Sequence, residues 1–334
     1  MKSKLIKTLL WAMPLIVALI SIGIGRYQID FIVQLKILLS QIIPMEQTWT
    51  NMEETVVINV RLPRILLAML IGGGLSIAGA AFQGMFSNPL VSPDILGVSA
   101  GAGFGASIGI LLFGNGITMQ LLALGMGMLA IGFTFLIGGV KKDMPIFMLV
   151  LAGVVTSALF QALISLVKFL ADPEEKLPAI TYWLMGSLGT ASYADLYIGG
   201  PLILVGILIL YVLRWRLNIL SLSEEEATSL GISVTKLKWV VILGATLITA
   251  AAVSIAGIIG WIGLIIPHIA RMLVGSNNQY VLPASISIGA VYLLIIDTLS
   301  RSLTAAEIPL SILTAIIGAP FFAYLLRKTG GGWG

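Results

Sequence analysis

The sequence predicts an all-α polytopic membrane protein of about ten transmembrane helices, forming a single transmembrane domain over residues 1–334. Only 10 % of the residues are charged, against about 25 % in a soluble domain, and the mean hydropathy is +1.05. From Ile95 to Val140 no Asp, Glu, Lys or Arg occurs, which leaves room for two spans of roughly 20 residues and a turn between them. Strand-length segments of alternating polarity are absent, and an open sheet edge cannot face hydrocarbon, so helices rather than a barrel are required.

Spans are expected near 8–25, 65–86, 95–114, 117–139, 144–167, 196–213, 240–257, 259–275, 281–299 and 308–326. The first follows Lys2, Lys4 and Lys7 as a signal peptide would, yet Ser21-Ile22-Gly23 is a poor small-x-small cleavage pattern and the run is long enough to cross. Residues 26–60 carry Arg26, Asp30, Lys36, Glu46, Trp49, Glu53 and Glu54, enough polarity for a surface segment with a short helix. Glycine then concentrates inside the spans, at Gly72-Gly73-Gly74, Gly79 and Gly84 and again from Gly97 to Gly109. Small residues at that density allow close helix packing, and a glycine-lined path is compatible with the same pattern. A second polar segment, Lys168 to Asp195, brings Trp183 to an expected interfacial belt.

Alternating the spans from a cytoplasmic N-terminus puts Lys2, Lys4, Lys7, Lys141, Lys142, Arg214, Arg216, Lys236, Lys238, Arg271, Arg327 and Lys328 inside, 12 of the 19 basic residues. The opposite side receives 10 of the 15 acidic ones, the asymmetry expected when both termini are cytoplasmic. The flanks account for a pI near 9.3, so nucleic-acid binding is not implied. With no cysteine, disulfides and thiolate metal sites are excluded.

The polar stretch from Arg214 to Trp239 therefore faces the cytosol as a loop within the domain. Ser223 can cap a helix whose first turn carries Glu224, Glu225 and Glu226 at the positive end of its dipole, with Gly231 as terminator, and Ser233 to Trp239 would start a second short helix. Such a pair makes a docking knob; a solvated loop is the plainer alternative.

Catalytic chemistry finds little material. The one histidine, His268, stands beside Arg271 at a helix end, where a helix-end role or a proton relay fits, and one His builds no metal site. No HExxH and no GxxxxGK[ST] occurs, so neither a metalloprotease nor a nucleotide-binding loop is present, and no metal or cofactor is expected. Span centres are nearly free of ionisable groups, Asp297 excepted, and Asp297 can pair with Arg301 four residues on. An energy source outside the bilayer follows; an ion-coupled secondary transporter and a structural scaffold are the competing readings.

Several strings resemble one family in order and spacing: Arg61-Leu62-Pro63-Arg64, Gln83-Gly84-Met85-Phe86-Ser87-Asn88-Pro89-Leu90, Pro93-Asp94-Ile95-Leu96-Gly97-Val98, Gly260-Trp261-Ile262-Gly263-Leu264-Ile265-Ile266-Pro267-His268, Glu307-Ile308-Pro309 and Gly318-Ala319-Pro320-Phe321. The chain resembles the FecCD-type permeases, the membrane subunits of type II ABC importers for vitamin B12, haem and iron siderophores. The resemblance implies a bacterial or archaeal cytoplasmic-membrane protein that pairs with a second copy or close homologue, with the pathway between the two. It implies two cytosolic ABC ATPase subunits gripping a coupling segment at Glu224, Glu225, Glu226, Ala227, Leu230 and Gly231. It further implies an extracytoplasmic binding protein whose carboxylates meet Arg61 and Arg301, with Arg64 a neighbouring candidate. The cargo implied is an iron-siderophore or a related chelate such as haem or a corrinoid, and the chain itself is not an enzyme. Gln83, Met85, Thr156, Ser157 and Gln161 are polar or soft residues in spans that can line the pathway or join helices.

Overall fold

The computed structural model describes residues 2–139, 146–221, 224–229, 231 and 233–329, and no strand occurs among them. The described residues form fourteen α-helices in order: α1 (Lys2–Gly23), α2 (Phe31–Ser40), α3 (Asn51–Glu54), α4 (Leu62–Phe86), α5 (Val98–Phe113), α6 (Ile117–Gly138), α7 (Ile146–Leu170), α8 (Lys176–Leu184), α9 (Tyr193–Leu213), α10 (Glu224–Ser229), α11 (Val234–Ala256), α12 (Ile262–Val274), α13 (Asn278–Ser302) and α14 (Leu310–Thr329). A helix lies over each interval expected to span. Six described helices are long and apolar enough to cross a membrane by length and composition, and shorter apolar helices include α2, α5 and α12.

The helix expected from residue 65 starts much earlier. Thr50 and Glu53 form a capping box that opens α3, and a π-helical turn, Thr55–Arg61, carries the chain without a break into α4. Pro63 explains the wide turn, since it has no N–H for the carbonyl of Asn59 and its ring crowds that group.

Helix α4 is the hub, packed against α9, α11, α12 and α13. Glycines make the contacts close: a Cβ at Gly79 would lie 1.9 Å from the Gly263 carbonyl oxygen on α12, and one at Gly72 would lie 2.3 Å from that of Gly289 on α13. Helices α5 and α6 form an antiparallel pair joined through Gly114 and Gly116, with Gly101, Gly105 and Gly109 turned toward α6. Close packing is thus the role observed at these glycines.

The most irregular buried backbone lies between α11 and α12. At about 1.5 Å per residue the 13 residues of α12 rise about 20 Å, short of a bilayer core. The segment from Gly257 to Trp261 supplies the rest without helical bonding, and both of those residues have positive φ, 71° and 72°. Protein contacts replace the missing bonds, as irregular backbone at membrane depth requires: the Ser187 amide donates to the Ala256 carbonyl at 2.9 Å.

The second short helix expected after Gly231 is absent. Ser233 instead caps α11 itself, its hydroxyl accepting from the Lys236 amide, and helical structure continues to Ala256. The apolar run after Trp239 lets the capped turn propagate rather than stop.

Candidate functional site

Three groups of residues stand out, at the two ends of the bundle and on one flank. At the end that carries α10, a 3₁₀ turn (Arg216–Ser221) leads toward the six-residue α10. Ala227 is fully buried while Glu226 and Ser229 are exposed, and Ser229 donates to the Glu226 carbonyl at 2.7 Å. Gly231 is exposed with φ 74° and open space around the position of a Cβ. Ser223, Leu230 and the side chains of Glu224 and Glu225 lie outside the described residues. Asn218 moors the turn to α13: its amide donates to Asn277 Oδ1 and its Oδ1 accepts from the Asn278 amide, both at 2.9 Å.

At the opposite end the three sequence-predicted arginines are brought together, but as buried groups with partners inside the chain: Arg61, Arg64 and Arg301 are 4 %, 6 % and 8 % exposed. Arg61 donates to the carbonyls of Ile22 and Tyr27, and Arg301 to the carbonyl and hydroxyl of Ser21. Gly25 lies against both guanidinium groups, where a Cβ would sit 2.6 Å from Arg61 Nη2 and 3.1 Å from Arg301 Nη1. Free side chains anchored at the headgroups, with charge reversal tolerated, are therefore not what the fold provides.

Arg64 is the centre of this cluster. Its Nε donates to Asp297 Oδ1 at 2.9 Å, its Nη2 reaches the same oxygen at 2.8 Å, and Nη1 and Nη2 donate to the two oxygens of Glu307 at 2.8 and 3.0 Å. The pairing expected of Asp297 with Arg301 exists at 3.7 Å but is the lesser contact. Burial alone would raise the Glu307 carboxyl; hydrogen bonding to Arg64 and the charge of Arg64 outweigh it and hold Glu307 below the usual carboxylate range. Sequence reasoning missed Glu307 as Arg64's partner, although the Glu-Ile-Pro string before α14 was a visible signal. It also missed Arg26, an exposed arginine whose Nη2 donates to the carbonyls of Thr304 and Ala305.

The pathway candidates divide. Gln83, Met85 and Thr156 are buried inside the chain. Gln83 Nε2 donates to the carbonyls of Gly263 and Leu264 at 3.3 and 3.2 Å, and Thr156 shares a 3.0 Å hydroxyl bond with Thr134, so both join helices. Ser157 is half-buried and Gln161 exposed on α7, where Ser165 continues the same face one turn on and donates to the Gln161 carbonyl at 2.9 Å. Sequence reasoning missed Ser165.

A helical bundle with a discontinuous α11–α12 region, a short presented helix at one end and an arginine cluster at the other is a transporter membrane subunit. The FecCD transport family model matches residues 13–328. The molybdate import system permease MolB of Haemophilus influenzae is 45 % identical over 321 residues, covering 94 % of this chain and 92 % of MolB. An iron chelatin transport system permease of Helicobacter pylori is 40 % identical over 276 residues, 83 % of each chain. A solved inward-facing structure of a metal-chelate type ABC transporter superposes with TM-score 0.85 at 42 % identity, covering 96 % of this chain and 97 % of that one. The chain belongs to the FecCD family of ABC importer permeases. It is a multi-pass membrane permease with the type II importer fold, and it is not an enzyme, since ATP hydrolysis lies in partner subunits.

Proposed function

We propose that this chain forms, with a second copy or a close homologue, the translocation pathway of a binding-protein-dependent importer for an iron-siderophore or a related metal chelate such as haem or a corrinoid. Ten crossings with both termini cytoplasmic place α10 in the cytosol and the arginine cluster outside. The observation that carries the coupling is α10 itself, a short helix seated by the buried Ala227 and presenting Glu226, Ser229 and Gly231 outward. Two ABC ATPase subunits grip this segment, with Glu224, Glu225 and Leu230 completing the contact. The 3₁₀ turn leading to α10 is bonded to α13 through Asn218, so a push on α10 reaches the bundle.

Within the outer cluster Arg26, Arg61, Arg64 and Arg301 outnumber Asp297 and Glu307, and this local positive charge suits acidic side chains of a binding protein. The exposed α7 face with Ser157, Gln161 and Ser165 supplies uncharged hydrogen-bonding groups to the pathway. Gln83, Met85 and Thr156 would reach it only through helix movement.

The identity to MolB favours a second reading of the cargo, an oxyanion such as molybdate. Uptake into proteoliposomes holding the permease, ATPase subunits and a binding protein separates the two, with ⁵⁵Fe-siderophore in one arm and ⁹⁹Mo-molybdate in the other. ATP-dependent entry of iron alone supports the chelate, and entry of molybdate alone replaces it. Uptake that runs on an ion gradient without ATPase subunits would sink the importer reading.

A further inference from the structure

Four of the five N–H donors of Arg64 are engaged, its Nε and Nη2 on Asp297 and its Nη1 and Nη2 on Glu307. Its two carboxylates differ in access. The Asp297 side chain is 0 % exposed, whereas that of Glu307 is 27 % exposed. An anion arriving at this end therefore meets the Glu307 side of the fork and finds it taken. Of its five N–H donors only one, on Nη1, is left over, enough for a single-point contact, so a second carboxylate can take the bidentate position only by replacing the first.

We infer that Glu307 is a placeholder carboxylate, exchanged at Arg64 for an acidic side chain of the partner that docks on this end of the bundle. The inference rests on reading this end as the outer docking face. Charge favours exchange, because four arginines face two carboxylates and the buried Arg301 Nε has no hydrogen-bond partner, so an incoming carboxylate enters a field with cations to spare. Access comes from the 27 % exposure of the Glu307 side chain; Gly189 packs against its Oε2, where a Cβ would stand at only 2.8 Å.

The exchange has a mechanical consequence. Glu307 sits in the connection between α13 and α14, and its carbonyl accepts a 3.4 Å bond from the Tyr182 hydroxyl of α8. Three and four residues on, the Leu310 and Ser311 amides, which open α14, donate to the carbonyls of Gly186 and Met185 at 2.9 and 3.1 Å. Arg64 thus fastens α4 to a joint shared by α8 and α14; Ser300 of α13 holds the same joint, accepting from the Ile308 amide at 3.2 Å and donating to the Ile308 carbonyl at 2.6 Å, so losing Glu307 from the fork loosens it. Because Arg64 keeps Glu307 ionised well into acid, the release needs a competing anion rather than a proton at neutral pH.

The chain has no cysteine, so Ala306→Cys, an exposed position beside Glu307, gives one labelling site for a spin probe in lipid nanodiscs. In Glu307→Ala the label should become mobile, and with Glu307 intact sodium acetate at tens of millimolar should raise label mobility in the same direction while sodium chloride at equal ionic strength does not. Should Glu307→Ala fail to fold, Gly189→Ala keeps the carboxylate but crowds it, and should raise label mobility with the folded fraction retained. The binding protein that drives uptake in the reconstituted importer should bind Glu307→Ala about tenfold more tightly than the parent, an internal competitor having been removed. Acetate without effect overturns the exchange, as does equal or weaker binding by the variant, or unchanged mobility in Gly189→Ala. If no binding protein docks on the parent either, the importer reading fails instead, and the acetate arm still reports on Arg64.

Discussion

Replacing Gln83 with leucine tests how the discontinuous α12 is held. Pro267 has no N–H, so the Gly263 carbonyl four residues earlier loses its helical donor, and Gln83 Nε2 on α4 supplies one at 3.3 Å. Gln83 is 3 % exposed, so no water takes over when the amide is removed. A buried acceptor left without a partner costs about 1–3 kcal/mol, and leucine of similar volume adds little cavity cost. Equilibrium unfolding in mixed detergent and SDS micelles should show Gln83→Leu destabilised by about that amount. In a Pro267→Ala background the restored amide can serve Gly263, and the same replacement should then cost about 1 kcal/mol less. Strict additivity of the two changes would refute the claim that Gln83 substitutes for the missing proline donor.

Gly79→Ala should destabilise by about 1–3 kcal/mol in the same assay, since its Cβ would stand 1.9 Å from the Gly263 oxygen, while Gly125→Ala, with open space around it, should be neutral or better. Asp297→Asn removes charge from a buried pair and should cost about 3–5 kcal/mol; a loss under about 1 kcal/mol would show that Arg64 is satisfied by Glu307 alone. Glu307 has a depressed folded pKa, so its contribution is complete above the ordinary carboxylate value of about 4.3 and is lost as pH falls through the lower folded value. The stability difference between the parent and Glu307→Gln should shrink below about pH 4 and stay flat from pH 5 to 8. Gly231→Trp, exposed but at φ 74°, should insert and fold while uptake is abolished in the proteoliposome assay; full uptake would remove Gly231 from the coupling surface.

What the sequence made legible follows the physics of its signals. Apolar length and charge spacing are local, so helices could be placed over all ten intervals from the run lengths alone. The polar stretch from Arg214 to Trp239 was equally visible, because polarity inside an apolar chain needs no tertiary knowledge. Pairing across the fold was not legible. Arg64 and Glu307 are separated by 243 residues, and nothing local distinguishes an arginine paired within the bundle from one waiting at its surface. Gln83 shows the same limit: an amide in a span reads equally as a pathway group or as a helix joint, and only the position of Pro267 opposite it decides. Where the reading of α11 erred, a helix start at Ser233 was placed correctly, but the helix was stopped at the end of the polar stretch when the apolar run beyond carries it on.

The α10 end and the arginine cluster are not independent, because α13 spans the distance between them. Its first turn is bonded to Asn218 beneath the α10 segment, and its last carries Asp297 and Arg301 in the arginine cluster. Twenty-five residues at about 1.5 Å each make a rod about 37 Å long. Along its length it is keyed to α4 at Gly289, whose Cβ would overlap Ser76 Oγ, and again where Asp297 meets Arg64. Two backbones in such contact cannot bend past each other independently, so α4 and α13 are bound to move as one body. A force on α10 then reaches Arg64 as a displacement of that whole pair. Against it, the joint of α8 and α14 is held by Glu307 and by a few loop hydrogen bonds. The Arg64–Glu307 contact is the ionic tie between these two bodies, and relative motion of the two should require its release.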